Sequence, residues 1–138
     1  MAASHYLALD VGEKRIGVAL AHHAARLAHP YTTLENSPAV FREVQSIVER
    51  ETVGIVVIGL PRGLSGQETA QTATVRAFGQ QLATHLETVP IAWQDEALTS
   101  KKAEAELRQR KRQWKKGEVD ALAASYILED YLQEHGEG

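Results

Sequence analysis

The sequence predicts an α/β fold, a mixed five-stranded sheet with helices on both faces, in the chain order three strands, helix, strand, helix, strand, helix. Three observations predict it. Two apolar runs, 4–11 and 16–21, are joined by the tight turn Gly12-Glu13-Lys14, which makes them an antiparallel hairpin. Residues 53–59 form a continuous, mostly β-branched run, as expected of a central strand buried on both faces. Beyond residue 60, helical and strand-like spacing alternate, the βα pattern that lays helices over a parallel sheet.

The remaining elements follow in order. A third strand is expected within 26–34. Ser37-Pro38 reads as a helix N-cap with proline at the first helical position, and Val40, Val44, Ile47 and Val48 give that helix an apolar stripe ending near Arg50. The segment 60–66 reads as a loop. Ala70, Ala73, Ala77, Phe78, Leu82 and Leu86 recur at helical spacing over 67–86. A short strand is expected at 89–94, a helix capped by Thr99 or Ser100 after it, and a last helix over 118–134. Ala121, Ala123 and Ala124 would let that helix approach the sheet closely.

At 138 residues the chain suits a single domain spanning 1–138. No apolar run approaches the ~20 residues that span a bilayer, so no membrane role and cytoplasmic residence are expected. With no cysteine, disulfides and thiolate metal sites are excluded. The net charge of −3 hides an asymmetry: residues 101–116 carry eight Lys/Arg against Glu104 and Glu106, a local +6 that leaves −9 for the rest. A basic segment on an acidic body can bind a polyanion locally, or merely be a solvated helix face.

Asp10 ends the apolar run Tyr6-Leu7-Ala8-Leu9, and a carboxylate at the end of a buried strand is costly unless a cation compensates it. Asp95-Glu96 and Asp120 also stand at element edges. Three converging carboxylates repel by roughly 4 kcal/mol per pair at ~4 Å and an effective dielectric near 20. A hard divalent ion such as Mg²⁺ or Mn²⁺ removes that penalty with oxygen ligands. Singly, each acid also has an ordinary explanation: Asp120 in the first turn of a helix gains ~0.3–1 kcal/mol from the dipole. Gly59-Leu60-Pro61-Arg62 with Gly63 and Gly66 could cradle a phosphate, but it lacks a P-loop's Gly-Lys-Ser/Thr. The six His show no metal-ligand spacing, and Trp114 could stack on a base or anchor local packing.

Together these residues resemble the YqgF (RuvX) family, Holliday-junction-resolvase-like proteins also described as pre-16S rRNA nucleases. The segments 10–19, Gly59-Leu60-Pro61 with Gly66, Asp95-Glu96-Ala97-Leu98-Thr99-Ser100 and 116–124 look like its four motifs, in order across residues 6–128. The resemblance implies an RNase H-like fold and a phosphodiester-cleaving centre holding two Mg²⁺ or Mn²⁺ ions. Carried over by position, Asp10, Glu96 and Asp120 would be both catalytic residues and metal ligands, with Asp95 as the alternative to Glu96 because strand alternation sends neighbours to opposite faces. Lys14, Arg15, Arg62, Lys101, Lys102, Arg108, Lys111, Lys115 and Lys116 would contact nucleic acid, either structured RNA in ribosomal precursor particles or branched DNA.

Two positions depart from the family pattern: Ala97 replaces the third motif's Arg, and Ser65 stands where an acid usually precedes the glycine. RuvC resolvases also carry an acid after the fourth strand, where this chain has Gly59-Leu60-Pro61, so the third ligand must come from the next strand. The rival readings are a non-catalytic nucleic-acid-binding assembly module and an actin-like phosphotransferase. The last needs a duplicated domain that 138 residues cannot supply. Oligomeric state is not legible.

Overall fold

The computed structural model describes residues 3–96 and 116–136, Lys116 in its backbone only. The expected helix from Thr99 or Ser100, Ala97, Trp114 and the basic side chains of 101–116 lie outside the described residues.

Five strands form one sheet, lying side by side in the order third, second, first, fourth, fifth of the chain. β1 (His5–Val11), β2 (Arg15–His22) and β3 (Ala28–Glu35) make an antiparallel meander, and β4 (Val53–Pro61) and β5 (Ile91–Glu96) add parallel strands beyond β1. The predicted mixed α/β fold is therefore the observed one. Period-two alternation divides each strand between the faces. Leu7, Leu9 and Val11, with Val18 and Ile58, pack beneath α1 (Val40–Arg50) and α2 (Ala70–Leu86), which contribute Val44, Ile47, Phe78 and Leu82. Their neighbours Ala8, Ala19, Ala21 and Val57 lie beneath Ala124, Ile127, Leu128 and Leu132 of α3 (Lys116–Glu134). One face thus carries large side chains under two helices. The other carries small ones, so a single helix sits close against it.

Several boundaries differ from the sequence reading. α1 starts at Val40: Ser37 supplies no side-chain cap, and its carbonyl instead accepts from the Val40 N–H at 3.0 Å. α2 starts at Ala70 rather than Gln67, because Thr69 and Thr72 form a reciprocal capping box. β5 is displaced two residues from the expected 89–94. The Val89 N–H is taken by the Leu86 carbonyl, and Pro90, which has no N–H, joins the sheet only through its carbonyl, accepting from Val56 at 3.0 Å.

β4 correspondingly outruns its expected end at Gly59. Leu60 pairs with Asp95 and Pro61 with Glu96, so both acids lie within a strand rather than after one. Finally, α3 is helical from Lys116, which moves Asp120 out of the first turn and weakens the helix-dipole account of it.

Candidate carboxylate site

Asp10 is the penultimate residue of β1 and pairs with Gly17 of β2. Alternation from Ala8 puts its side chain on the α3 face. The same alternation along β5 separates the two acids that the sequence left as alternatives. Gln94, bonded through Nε2 to Glu134 Oε2 of α3 at 2.8 Å, fixes the α3 face, and Glu96 shares it. Asp95 points the other way and accepts from Arg62 Nε at 3.0 Å.

Glu96 reaches Asp10 across β4, and Gly59 makes that reach possible. A Cβ built on Gly59 would stand 3.1 Å from Glu96 Oε2 and would overlap Ile127 Cδ1 of α3. Gly17 serves the other flank, where a Cβ would overlap the backbone of Asp120 and Ala121. Asp10 therefore lies between strands whose glycines let α3 descend onto the sheet beside it. In the sequence Gly59 ends the central strand and could belong to a phosphate cradle, and Gly17 has no role of its own within the 10–19 motif. The available signal was a glycine within each of two otherwise apolar runs, 16–21 and 53–59.

The carboxyls of Asp10 and Glu96 are hydrogen-bonded to each other. Burial pushes Asp10 up to about 8, with the Glu96 charge and hydrogen bond and then the Asp120 charge adding to the effect. Burial also raises Glu96, while the bond from Asp10 pulls it back. Both carboxyls are thus held above the ordinary carboxylate range, Asp10 the more strongly, and the pair favours keeping a proton between them. Asp120 is held differently: Arg15 Nε donates to its Oδ2 at 2.6 Å. Of the three acids expected to converge, two therefore meet as a contacting pair, and the third is paired with a guanidinium. Among the described residues no three acidic or imidazole side chains stand close enough to ligate one ion as placed.

The donor set nonetheless fits a hard divalent ion. Two carboxyls held together against their repulsion, with a third within electrostatic reach, offer only oxygen ligands and an uncompensated charge once the shared proton leaves.

The expected phosphate contacts are placed as follows. Lys14 is exposed at the tip of the β1–β2 turn, which Gly12 N–H closes onto the Arg15 carbonyl at 2.9 Å. Arg15 is occupied by Asp120. Arg62 bonds Asp95 and, at 3.4 Å, Glu68, which also binds Arg76 at 2.7 Å. No described helix is long and apolar enough to cross a membrane.

Similarity to characterised proteins agrees with this architecture. A protein of Crocosphaera subtropica named "Putative pre-16S rRNA nuclease" is 39% identical over 132 residues, covering 93% of this chain and 92% of that protein. One of the same name from Chloroflexus aurantiacus is 41% identical over 130 residues, covering 91% and 84%. Among solved structures, T. thermophilus RuvC in complex with a Holliday junction substrate superposes with a TM-score of 0.59 at 16% identity, covering 96% of this chain and 97% of that one. Fowlpox virus resolvase with its Holliday junction DNA gives 0.56 at 12% identity, covering 96% and 99%. At such identities the two structures speak to the fold alone. The profile of the family described as "RuvX: Holliday junction resolvase" matches residues 4–134, nearly the whole chain, and the chain belongs to that nuclease family.

Proposed function

We propose that this chain, as one domain, hydrolyses phosphodiester bonds with Mg²⁺ or Mn²⁺, acting in the cytoplasm on structured RNA at the 5′ end of pre-16S rRNA. The observation that carries the reading is the Asp10–Glu96 pair: two carboxyls in contact across a glycine, one kept protonated by its surroundings. With both groups ionised the arrangement would cost the fold stability, because burying like charges without a counter-ion is unfavourable. Acids pushed up together in this way are candidates for a functional site, and a bound cation would relieve them.

Asp10, Glu96 and Asp120 would be the ligands. When bound, the ion supplies a polarised water and neutralises charge on the scissile phosphate. The chain's own part is to hold the oxygens rigidly, Asp10 and Glu96 on the two strands that flank β4 and Asp120 on the helix packed over them. Lys14, Arg62 and the basic side chains at 101–116 would hold the strand, giving binding that weakens steeply with salt. The relatives named for pre-16S rRNA support RNA and ribosomal precursor particles as the setting.

A branched-DNA substrate is the second reading, favoured by the family's description. The test incubates wild type and Asp10→Asn with a 5′-extended 16S precursor RNA and with a four-way DNA junction, in Mn²⁺ or EDTA. Metal-dependent cleavage of the RNA, lost in Asp10→Asn with binding retained, is the expected result. Cleavage of the junction alone moves the assignment to the second reading. No cleavage of either substrate by wild type makes the chain a binding module.

A further inference from the structure

We infer that Arg15 is a resident counter-cation of the acidic site, which a divalent ion must displace from Asp120 before all three carboxylates can serve it. The inference rests on the metal-dependent reading above and adds a competitor to it. Arg15 starts β2 on the α3 face, two residues before Gly17 and in line with it. From there its Nε donates to Asp120 Oδ2 at 2.6 Å, tying β2 to α3 beside Asp10. The Arg15 side chain is 37% exposed and that of Asp120 22%, so the pair sits at the rim of the site. A rim ion pair is weakened by solvent screening and can be opened without dismantling the fold.

The other described arginines near this end of the sheet are committed elsewhere: Arg62 to Asp95 and Glu68, and Arg76 to Glu68. Arg15 is therefore the described cation placed to balance Asp120. It spends only Nε on that bond, and among the described residues its terminal nitrogens make no hydrogen bond. Once an ion takes Asp120, the guanidinium is released at the site's edge with its planar fork available to a phosphate. The same residue then discourages ion binding in the free protein and favours the nucleic acid in the loaded one.

The test measures Mn²⁺ binding to the metal-free full chain without nucleic acid, by the electron paramagnetic resonance signal of free Mn²⁺. Arg15→Gln is expected to bind Mn²⁺ about fivefold tighter than wild type, as loss of a rim ion pair implies. Arg15→Lys, which keeps the charge, stays near wild type, and in an Asp120→Asn background Arg15→Gln brings no further gain. Unchanged or weaker Mn²⁺ binding in Arg15→Gln overturns the inference. If Arg15→Gln does not fold, wild type still decides: on adding Mg²⁺, the Arg15 Nε–H nitrogen-proton resonance should move and its exchange with water accelerate, and a signal that stays put overturns the inference. Failure of the underlying reading looks different, with wild type and Asp10→Asn binding Mn²⁺ equally weakly, and it removes both.

Discussion

The carboxyls of Asp10 on β1 and Glu96 on β5 meet across a strand that contributes only Gly59 between them. Two acids 86 positions apart in sequence thus titrate as one unit, and most of the testable behaviour of this protein follows from that unit.

Metal-free stability should fall as pH rises. Asp10 ionises near 8 when folded but near 3.8 when exposed, so the folded state holds its proton more tightly. That contribution is fully present below about 3.8 and is lost progressively as pH climbs through about 8. Thermal unfolding in EDTA between pH 5 and 9 is expected to show this decline, and Asp10→Asn, which removes the titrating proton, to flatten it. A wild-type melting temperature that rises with pH over the same range would contradict the shared-proton arrangement.

Glu96→Gln and Asp95→Asn should separate cleanly. Glu96→Gln removes a carboxylate that touches Asp10, and metal-dependent cleavage is expected to drop by at least ~100-fold, as for other groups that organise transition-state charge. The Asp95 side chain is 70% exposed and pairs with Arg62. Asp95→Asn should therefore keep activity within a few-fold and move stability by no more than ~1 kcal/mol. Comparable losses in the two variants would reverse the facial assignment along β5.

The two glycines beneath α3 should respond unequally to alanine. At Gly17 the new methyl meets helix backbone, which cannot step aside, and a loss of ~3 kcal/mol or more is expected. At Gly59 it meets the tip of Ile127, a side chain that can rotate, so a loss of ~1–2 kcal/mol is expected. Crowding of Glu96 should also weaken Mn²⁺ binding in Gly59→Ala. Chemical denaturation and metal titration of the two variants check both statements.

Thr69→Ala should lower stability by ~1 kcal/mol with little change in cleavage, because it removes one half of the capping box that starts α2 on the face away from the carboxylates. Urea unfolding measured beside an activity assay tests the separation.

Much of the fold was legible because burial imposes a period. The alternation of Leu7, Leu9 and Val11 with Ala8 and Asp10, and the β-branched run of β4, report one-sided and two-sided burial directly. Element ends were read less well, since they depend on partners remote in sequence. Gly59-Leu60-Pro61 carries the composition of a loop, yet Gln94-Asp95-Glu96 is in register to pair with it. Ser37-Pro38 has the composition of a cap, yet the turn closes on a backbone carbonyl.

For the site, residue types were readable and their pairing was not. Asp10, Glu96 and Asp120 stand out in the one-dimensional chain because carboxylates beside apolar runs are unfavourable without compensation. What the tertiary structure decided is which acid meets which cation. Strand alternation turned Glu96 toward Asp10 and Asp95 toward Arg62, and the close seating of α3 over Gly17 and Gly59 brought Asp120 to Arg15 instead of leaving it free. Electrostatic energies vary inversely with distance, and distances between residues far apart in sequence exist only once the sheet and its covering helix have packed.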